Sequence, residues 1–400
     1  MAEKPEAAYK ENPRKRNHLN LTSAEEETDP SLSSADARRK ATIFETQTYD
    51  AASSLDDYHR RCAEKIQDLS QNARSRTLAE QDQERVPSPT GIAIGRYQNA
   101  VYWSEGLFSV VYKASAPEVE TISSTQSNSG QSKVVALKVT TPSVMEPPHD
   151  SRREARILDL AASDHVIPVL ETCRDAGSQF VLVFPFMPFV LDQLLHDHEL
   201  SKPQARLHLR DLFSALDFIH SQRIVHRDIK PSNILLRSID GPAYLSDFGI
   251  AWAPTATGSE PAESKITDVG TTCYRPPELL FGNKQYGTSL DLWAAGCTVA
   301  EVVVHKHPTL FDSGELGSDL ALIQSIFTKL GTPNLEVWPE AATFPDWGKM
   351  QFHEYPPQSW DSLLPDVSET ERDLVSQLVR YESGARMTAS QVLAQPYFVD

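Results

Sequence analysis

The sequence predicts an α+β chain, with a sheet-rich segment leading into a larger helical one. Two changes of pattern carry that expectation. From Tyr97 the apolar residues gather in short β-branched and aromatic runs. Val101-Tyr102-Trp103 and Val110-Val111-Tyr112 flank Gly106, and Val134-Val135-Ala136-Leu137-Lys138-Val139 follows. From Gln204 onward the spacing is helical. Composition permits both, because 40% apolar and 8% aromatic content over 400 residues can bury a substantial core.

Taken in order, residues 1–54 are rich in Glu, Ser, Thr and Ala without a periodic apolar pattern, and a disordered tail is expected there. Residues 55–96 differ. Leu55, Tyr58, Cys62, Ile66, Leu69 and Ala73 recur at three- and four-residue steps, which predicts an amphipathic helix, and Pro87-Ser88-Pro89 then breaks it. A stripe of this width is what any surface helix shows, so a helix resting on the following domain is favoured over a partner-docking one. One domain is expected over 97–398. Within it, the Ser-, Thr-, Gln- and Asn-rich stretch 115–133 reads as a flexible insertion. After Pro147-Pro148, a helix is expected from Arg152 to Ala162 and an apolar strand from Phe180 to Phe186.

Charge and cysteine content exclude several classes of function. Residues 1–96 carry 15 Lys/Arg against 17 Asp/Glu, whereas the remainder carries 23 against 38. So acidic a domain would repel a phosphate backbone, which argues against a nucleic-acid partner and is compatible with a basic protein substrate. No apolar run approaches the ~20 residues that span a bilayer, and no secretory h-region opens the chain. Cys62, Cys173, Cys273 and Cys297 are scattered, as in a reduced intracellular protein without a zinc site. The basic clusters Arg14-Lys15-Arg16 and Arg38-Arg39-Lys40 could be nuclear-import signals, although such short runs are usually solvated tail residues. Location in nucleus and cytoplasm is expected.

The chemistry is concentrated in two motifs. Residues 224–235 read Ile-Val-His-Arg-Asp-Ile-Lys-Pro-Ser-Asn-Ile-Leu, and Asp247-Phe248-Gly249 follows. Either triplet alone occurs by chance; the full H-R-D-x-K-x-x-N spacing followed by D-F-G, each among apolar residues, does not. An aspartate can accept the proton of an attacking hydroxyl, and an amide oxygen with a second carboxylate can hold magnesium bridging two phosphates.

These residues resemble the catalytic loop and metal-binding motif of protein kinases, whose fold is bilobal, with a small β-rich N-lobe and a large α-helical C-lobe. The resemblance implies ATP and Mg²⁺ as cofactors. It makes Asp228 the base and assigns Asn233 and Asp247 to the metal. Lys230 contacts the transferred phosphate, as in serine/threonine kinases, and Thr271 touches Asp228 and Lys230. Lys138, in Val-Ala-Leu-Lys, grips the α- and β-phosphates, and Glu154 holds it. Glu105, Gly106 and Val111 fall in the phosphate-covering loop. Phe184 and Met187 fall in the hinge, and Ala136 and Leu235 sandwich the purine. Tyr274-Arg275-Pro276-Pro277-Glu278-Leu279-Leu280, Asp291-Leu292-Trp293 and Leu330-Gly331-Thr332-Pro333 extend the resemblance to cyclin-dependent kinases. In that family Asp291 braces the catalytic loop and Arg386 pairs with Glu278. The likeness runs from Tyr97 to Phe398.

Four departures matter. Ser104-Glu105-Gly106-Leu107-Phe108-Ser109 keeps only the middle glycine of G-x-G-x-x-G, and Leu107-Phe108 replaces the inhibitory Thr-Tyr pair. Ile266 stands eight residues before Tyr274, where relatives carry an activating threonine. Pro147-Pro148-His149-Asp150-Ser151-Arg152-Arg153-Glu154 replaces the cyclin-contacting helix. Gly270 replaces a valine of V-V-T, so the pocket for a proline after the acceptor is expected to be kept but not enforced. These departures resemble the monomeric Cdk-activating kinases of fungi. The expectation is a serine/threonine kinase acting on the activation-loop threonine of cyclin-dependent kinases in cell-cycle control. It would work as a monomer, without cyclin, nucleic acid or membrane. The alternatives are a cyclin-bound kinase of the group and a pseudokinase scaffold.

Overall fold

The computed structural model describes residues 91–117, 134–174, 178–197, 200–304, 306–314 and 317–399, and before them only positions 44, 48, 58, 60–62 and 65. The chain divides into two units, Met1–Arg85 and Val86–Asp400. In the first, all the described positions are helical. Tyr58 and Cys62, four apart on the apolar stripe, are buried. Phe44 and Thr48, inside the stretch read as a tail, are also helical, with Lys65 5.8 Å from the Phe44 ring. The apolar pair Ile43-Phe44 is too short to register as a period. The rest of the tail and helix expectations lie outside the described residues.

Six antiparallel strands open the second unit: β1 (Ile92–Ile94), β2 (Tyr97–Gly106), β3 (Ser109–Ser115), β4 (Val134–Thr140), β5 (Glu171–Arg174) and β6 (Phe180–Pro185). Their order is β1-β2-β3-β4-β6-β5. The sheet thus begins ahead of Tyr97. Ser115, the first residue of the expected insertion, is the buried last residue of β3; residues 118–133 lie outside the described residues. Alternation along β4 buries Val135, Leu137 and Val139 in a small core and turns Ala136 and Lys138 to the other face. Strand β6 is buried on both faces: Val181 and Val183 join the small core, Leu182 and Phe184 the large one.

Helix α1 (Ser151–Leu160) starts where Asp150 caps it, its carboxylate accepting from the amides of Arg152 and Arg153 at 2.9 and 3.0 Å. The large core belongs to the helical lobe, which comprises α2 (Leu191–His196), α3 (Lys202–Ser221), α4 (Ser289–Val303), α5 (Asp319–Leu330) and α6 (Glu369–Leu378) with shorter turns between. Capping boxes start α3 at Ser201 with Gln204 and α6 at Ser368 with Glu371. Helix α4 is apolar nearly all round and runs through the core, as that composition requires. A second sheet, β7 (Phe189–Val190), β8 (Ile234–Leu236) and β9 (Ala243–Leu245), lies on this lobe and carries both chemical motifs at its ends. Glu278 and Arg386 meet inside the lobe at 2.5 and 2.7 Å, both fully enclosed. No helix among the described residues is long and apolar enough to cross a membrane.

Candidate active site

Lys138 is the hinge-pin of the upper half of the site. Its ammonium meets Glu154 Oε1 of α1 at 2.6 Å and Asp247 Oδ1, just beyond β9, at 2.8 Å. Burial alone would push the Lys138 ammonium down, but Asp247 and Glu154 outweigh it and hold it above its ordinary value. The same ammonium holds the Asp247 carboxyl well below the usual carboxylate range. Glu154, wholly enclosed, is pushed up by burial against the pull of Lys138. Gly249 lies close beside them. A side-chain carbon there would sit 3.2 Å from Asp247 Oδ1 and 3.7 Å from Lys138 Nζ. The Lys138–Asp247 contact was not foreseen, because residues so far apart in sequence give no joint local signal.

The catalytic loop is fixed from below. Asp291 of α4 accepts the amides of His226 and Arg227, both at 2.8 Å, as the resemblance implied. His226 Nε2 lies 2.9 Å from the Ser246 carbonyl, and its Nδ1 accepts the Asp228 amide at 3.2 Å, a pattern that puts the ring proton on Nε2. Asp228 projects from this frame. Its Oδ1 accepts from the Thr271 amide at 3.0 Å and hydroxyl at 2.8 Å; its Oδ2 accepts from Asn233 Nδ2 at 3.0 Å and lies 2.9 Å from Lys230 Nζ. Lys230 also donates to Thr271 Oγ1 at 2.6 Å. Four expected residues, Asp228, Lys230, Asn233 and Thr271, therefore converge. Arg227 and Asp247 adopt φ of 73° and 59°, conformations a non-glycine residue keeps only when its surroundings impose them.

The phosphate-covering loop is built without the missing glycines. Glu105 pairs with Val110 and Gly106 with Ser109, which leaves Leu107-Phe108 as a two-residue turn. No residue of 104–109 takes a positive φ, so serine costs nothing in this conformation. Phe108 packs against His149 at 4.8 Å between rings. Register puts Val111 beside Lys138 and Ala136 beside Phe184. Phe184 and Met187 are buried, whereas Ala136 and Leu235 are partly buried against the large core. Below the site Gly270 takes φ 78°, and its carbonyl accepts from Arg275 Nε at 3.0 Å. The turn thus keeps its arginine contact, while glycine adopts this φ without the strain a valine would carry.

The donor set fits magnesium bound through a nucleotide. Asn233 turns its Nδ2 to Asp228, carbonyl and carboxylate, which leaves its Oδ1 for a cation, and Asp247 stays ionised. One carboxylate and one amide are too few to cage the ion; Mg²⁺ typically takes its remaining oxygens from water and substrate phosphates. Consistently, no group of three or more His, Cys, Asp or Glu among the described residues could hold a metal ion.

A comparison with known families decides the assignment. The model of the protein kinase domain matches residues 120–398. The chain belongs to the protein kinase family. Strands β1–β3 precede the matched span and complete the N-lobe sheet. The kinase is 40% identical to the serine/threonine-protein kinase csk1 of Schizosaccharomyces pombe over 258 residues, covering 63% of this chain and 82% of that protein. It is 33% identical to human cyclin-dependent kinase 20 over 298 residues, covering 74% and 80%. It is 36% identical to cyclin-dependent kinase D-1 of Oryza sativa subsp. indica over 249 residues, covering 62% and 56%. The protein is an ATP-dependent serine/threonine kinase of the cyclin-dependent kinase group, a family that uses Mg²⁺ with its nucleotide.

Proposed function

We propose that the kinase phosphorylates the activation-loop threonine of cyclin-dependent kinases in cell-cycle control, as a monomer and without a cyclin. The observation that carries the catalytic part is the convergence of Thr271, Asn233 and Lys230 on the Asp228 carboxylate. Asp228 is the base that takes the acceptor hydroxyl proton. Lys230 turns from Asp228 Oδ2 toward the transferred phosphate, and the oxygen it leaves receives that proton. Thr271 keeps Oδ1 oriented meanwhile. Lys138 orients the nucleotide phosphates, with Glu154 behind it, while Glu105, Gly106 and Val111 cover them. Phe184 and Met187 meet the adenine edge, and Ala136 and Leu235 its faces. Asn233 and Asp247 would hold Mg²⁺, which would neutralise charge on the phosphates.

The substrate assignment rests on the departures around the acceptor groove. Cys273 stands where relatives carry tryptophan, which removes packing surface beside the turn at Gly270. A groove of this kind suits an activation loop presented by a folded partner better than a short proline motif. The kinase domain is assigned to 97–398 and the location to nucleus and cytoplasm. The test compares an intact, unphosphorylated cyclin-dependent kinase with a proline-directed peptide array, without added cyclin. Efficient transfer to the intact kinase and poor transfer to the peptides is expected. Strong selection for proline after the acceptor, with no transfer to the intact kinase, overturns the substrate assignment.

A further inference from the structure

Between α1 and the catalytic loop lies a buried group of cations, two of which, Arg153 and Arg227, share the Glu260 carboxylate. Arg153, Arg227 and Lys265 are 3%, 1% and 4% exposed. Glu260 reaches into the group from the segment that follows Asp247-Phe248-Gly249. Its Oε1 accepts from Arg227 Nη1 at 3.0 Å, and its Oε2 lies 3.8 Å from Arg153 Nη1. The backbone around it is tied in as well: the Glu260 carbonyl accepts from Trp252 Nε1 at 2.9 Å, and Arg153 Nη1 donates to the Gly258 carbonyl at 3.1 Å. The Ile266 amide faces Glu260 Oε1 at 3.5 Å, so the position that cannot carry a phosphate borders this carboxylate directly.

What this carboxylate joins gives it a role. Arg153 precedes Glu154, which fixes Lys138; Arg227 precedes Asp228. One anion therefore couples the helix that positions the phosphate-gripping lysine to the loop that carries the base, through the segment between them. Without it, the two enclosed guanidinium groups would lose the carboxylate between them, and burial of like charges drives such groups apart. A cavity of about 580 Å³, lined in part by Met145, His149, Arg152, Arg153, Glu260 and Ile266, opens beside it, so an anion larger than a carboxylate fits at this position.

We propose that Glu260 is a built-in anion, a positioning residue that holds Arg153 and Arg227 together and makes the segment 247–277 competent without phosphorylation. The proposal rests on the kinase reading above and extends it to regulation. The test uses the full chain, treated with phosphatase, in four forms: wild type, Glu260→Gln, Glu260→Ser, and the chain carrying phosphoserine at position 260. ATP hydrolysis and transfer to an intact cyclin-dependent kinase are both read, with the melting temperature in parallel.

The loss of a charge-assisted contact predicts a kcat about 10–100-fold lower for the Gln and Ser forms, with KM for ATP little changed. Phosphoserine should restore most of kcat whereas Glu260→Gln, of the same size as glutamate but uncharged, should not, which separates a role of charge from one of packing. Equal kcat in all four forms overturns the proposal and leaves the kinase reading intact. So does a loss in the Ser form that phosphoserine does not repair. Wild type without ATP turnover overturns both.

Discussion

Asp247 has a carboxylate whose charge is set by one neighbour. Lys138 holds it below its ordinary range, although half of the side chain is open to solvent. A depressed carboxyl contributes stability in full above its unfolded value of about 3.9 and loses it as pH falls toward the folded value. The raised Lys138 ammonium contributes below its unfolded value of about 10.4 and loses it only as pH rises past that point. The acid limb of the stability curve is thus where Asp247 acts. Urea unfolding between pH 5 and 2, at about unit steps, should show wild type losing stability more steeply than Asp247→Asn. Parallel curves would remove the Lys138–Asp247 pair from the account.

Lys138, Glu154, Asp228 and Asn233 were legible because their spacing along the chain matches the motifs of the family. Glu260 was not legible. Ser259-Glu260-Pro261 reads as an ordinary acidic loop, and only the fold brings it to two arginines that precede it by more than thirty and more than a hundred residues.

Patterning carried most of the elements for a simple reason: period-2 burial along β4 and continuous burial of α4 both follow from which faces are covered. Strand β1 escaped notice because three residues cannot show a period. The Leu107-Phe108 turn escaped because the missing glycines suggested a loop in difficulty, whereas it needs no positive φ. Helix packing supplies a sharper test. A carbon added at Gly296 of α4 would lie 2.7 Å from Val379 Cγ2 and 2.8 Å from Leu378 Cβ, at the end of α6. Overpacking of this kind costs about 1–3 kcal/mol, against a gain of about 1 kcal/mol in helix propensity. Gly296→Ala should therefore be net destabilised, by up to about 2 kcal/mol, in denaturant titration. An unchanged midpoint would mean that α4 and α6 stand further apart than described.

In the second unit the large apolar core runs from α1 and β6 into the helical lobe, and charged contacts join the two lobes around one cleft. Lys138 reaches Asp247, and Arg153 reaches Glu260, each joining the sheet-and-helix half to the loops of the other. No cyclin-type helix sequence and no activating hydroxyl at position 266 is available to set these contacts from outside. The function proposed above therefore requires the chain to assemble its own active site. Removal of a positioned base typically costs about 10²–10⁴-fold.

The most direct measurement is Mg²⁺-dependent γ-phosphate transfer by the purified, phosphatase-treated full chain, with no cyclin added, for wild type and Asp228→Asn side by side. Transfer by wild type and a loss of about 10²–10⁴-fold in Asp228→Asn are expected. Background transfer from both, or activity that appears only after cyclin or rephosphorylation, would contradict the proposed function.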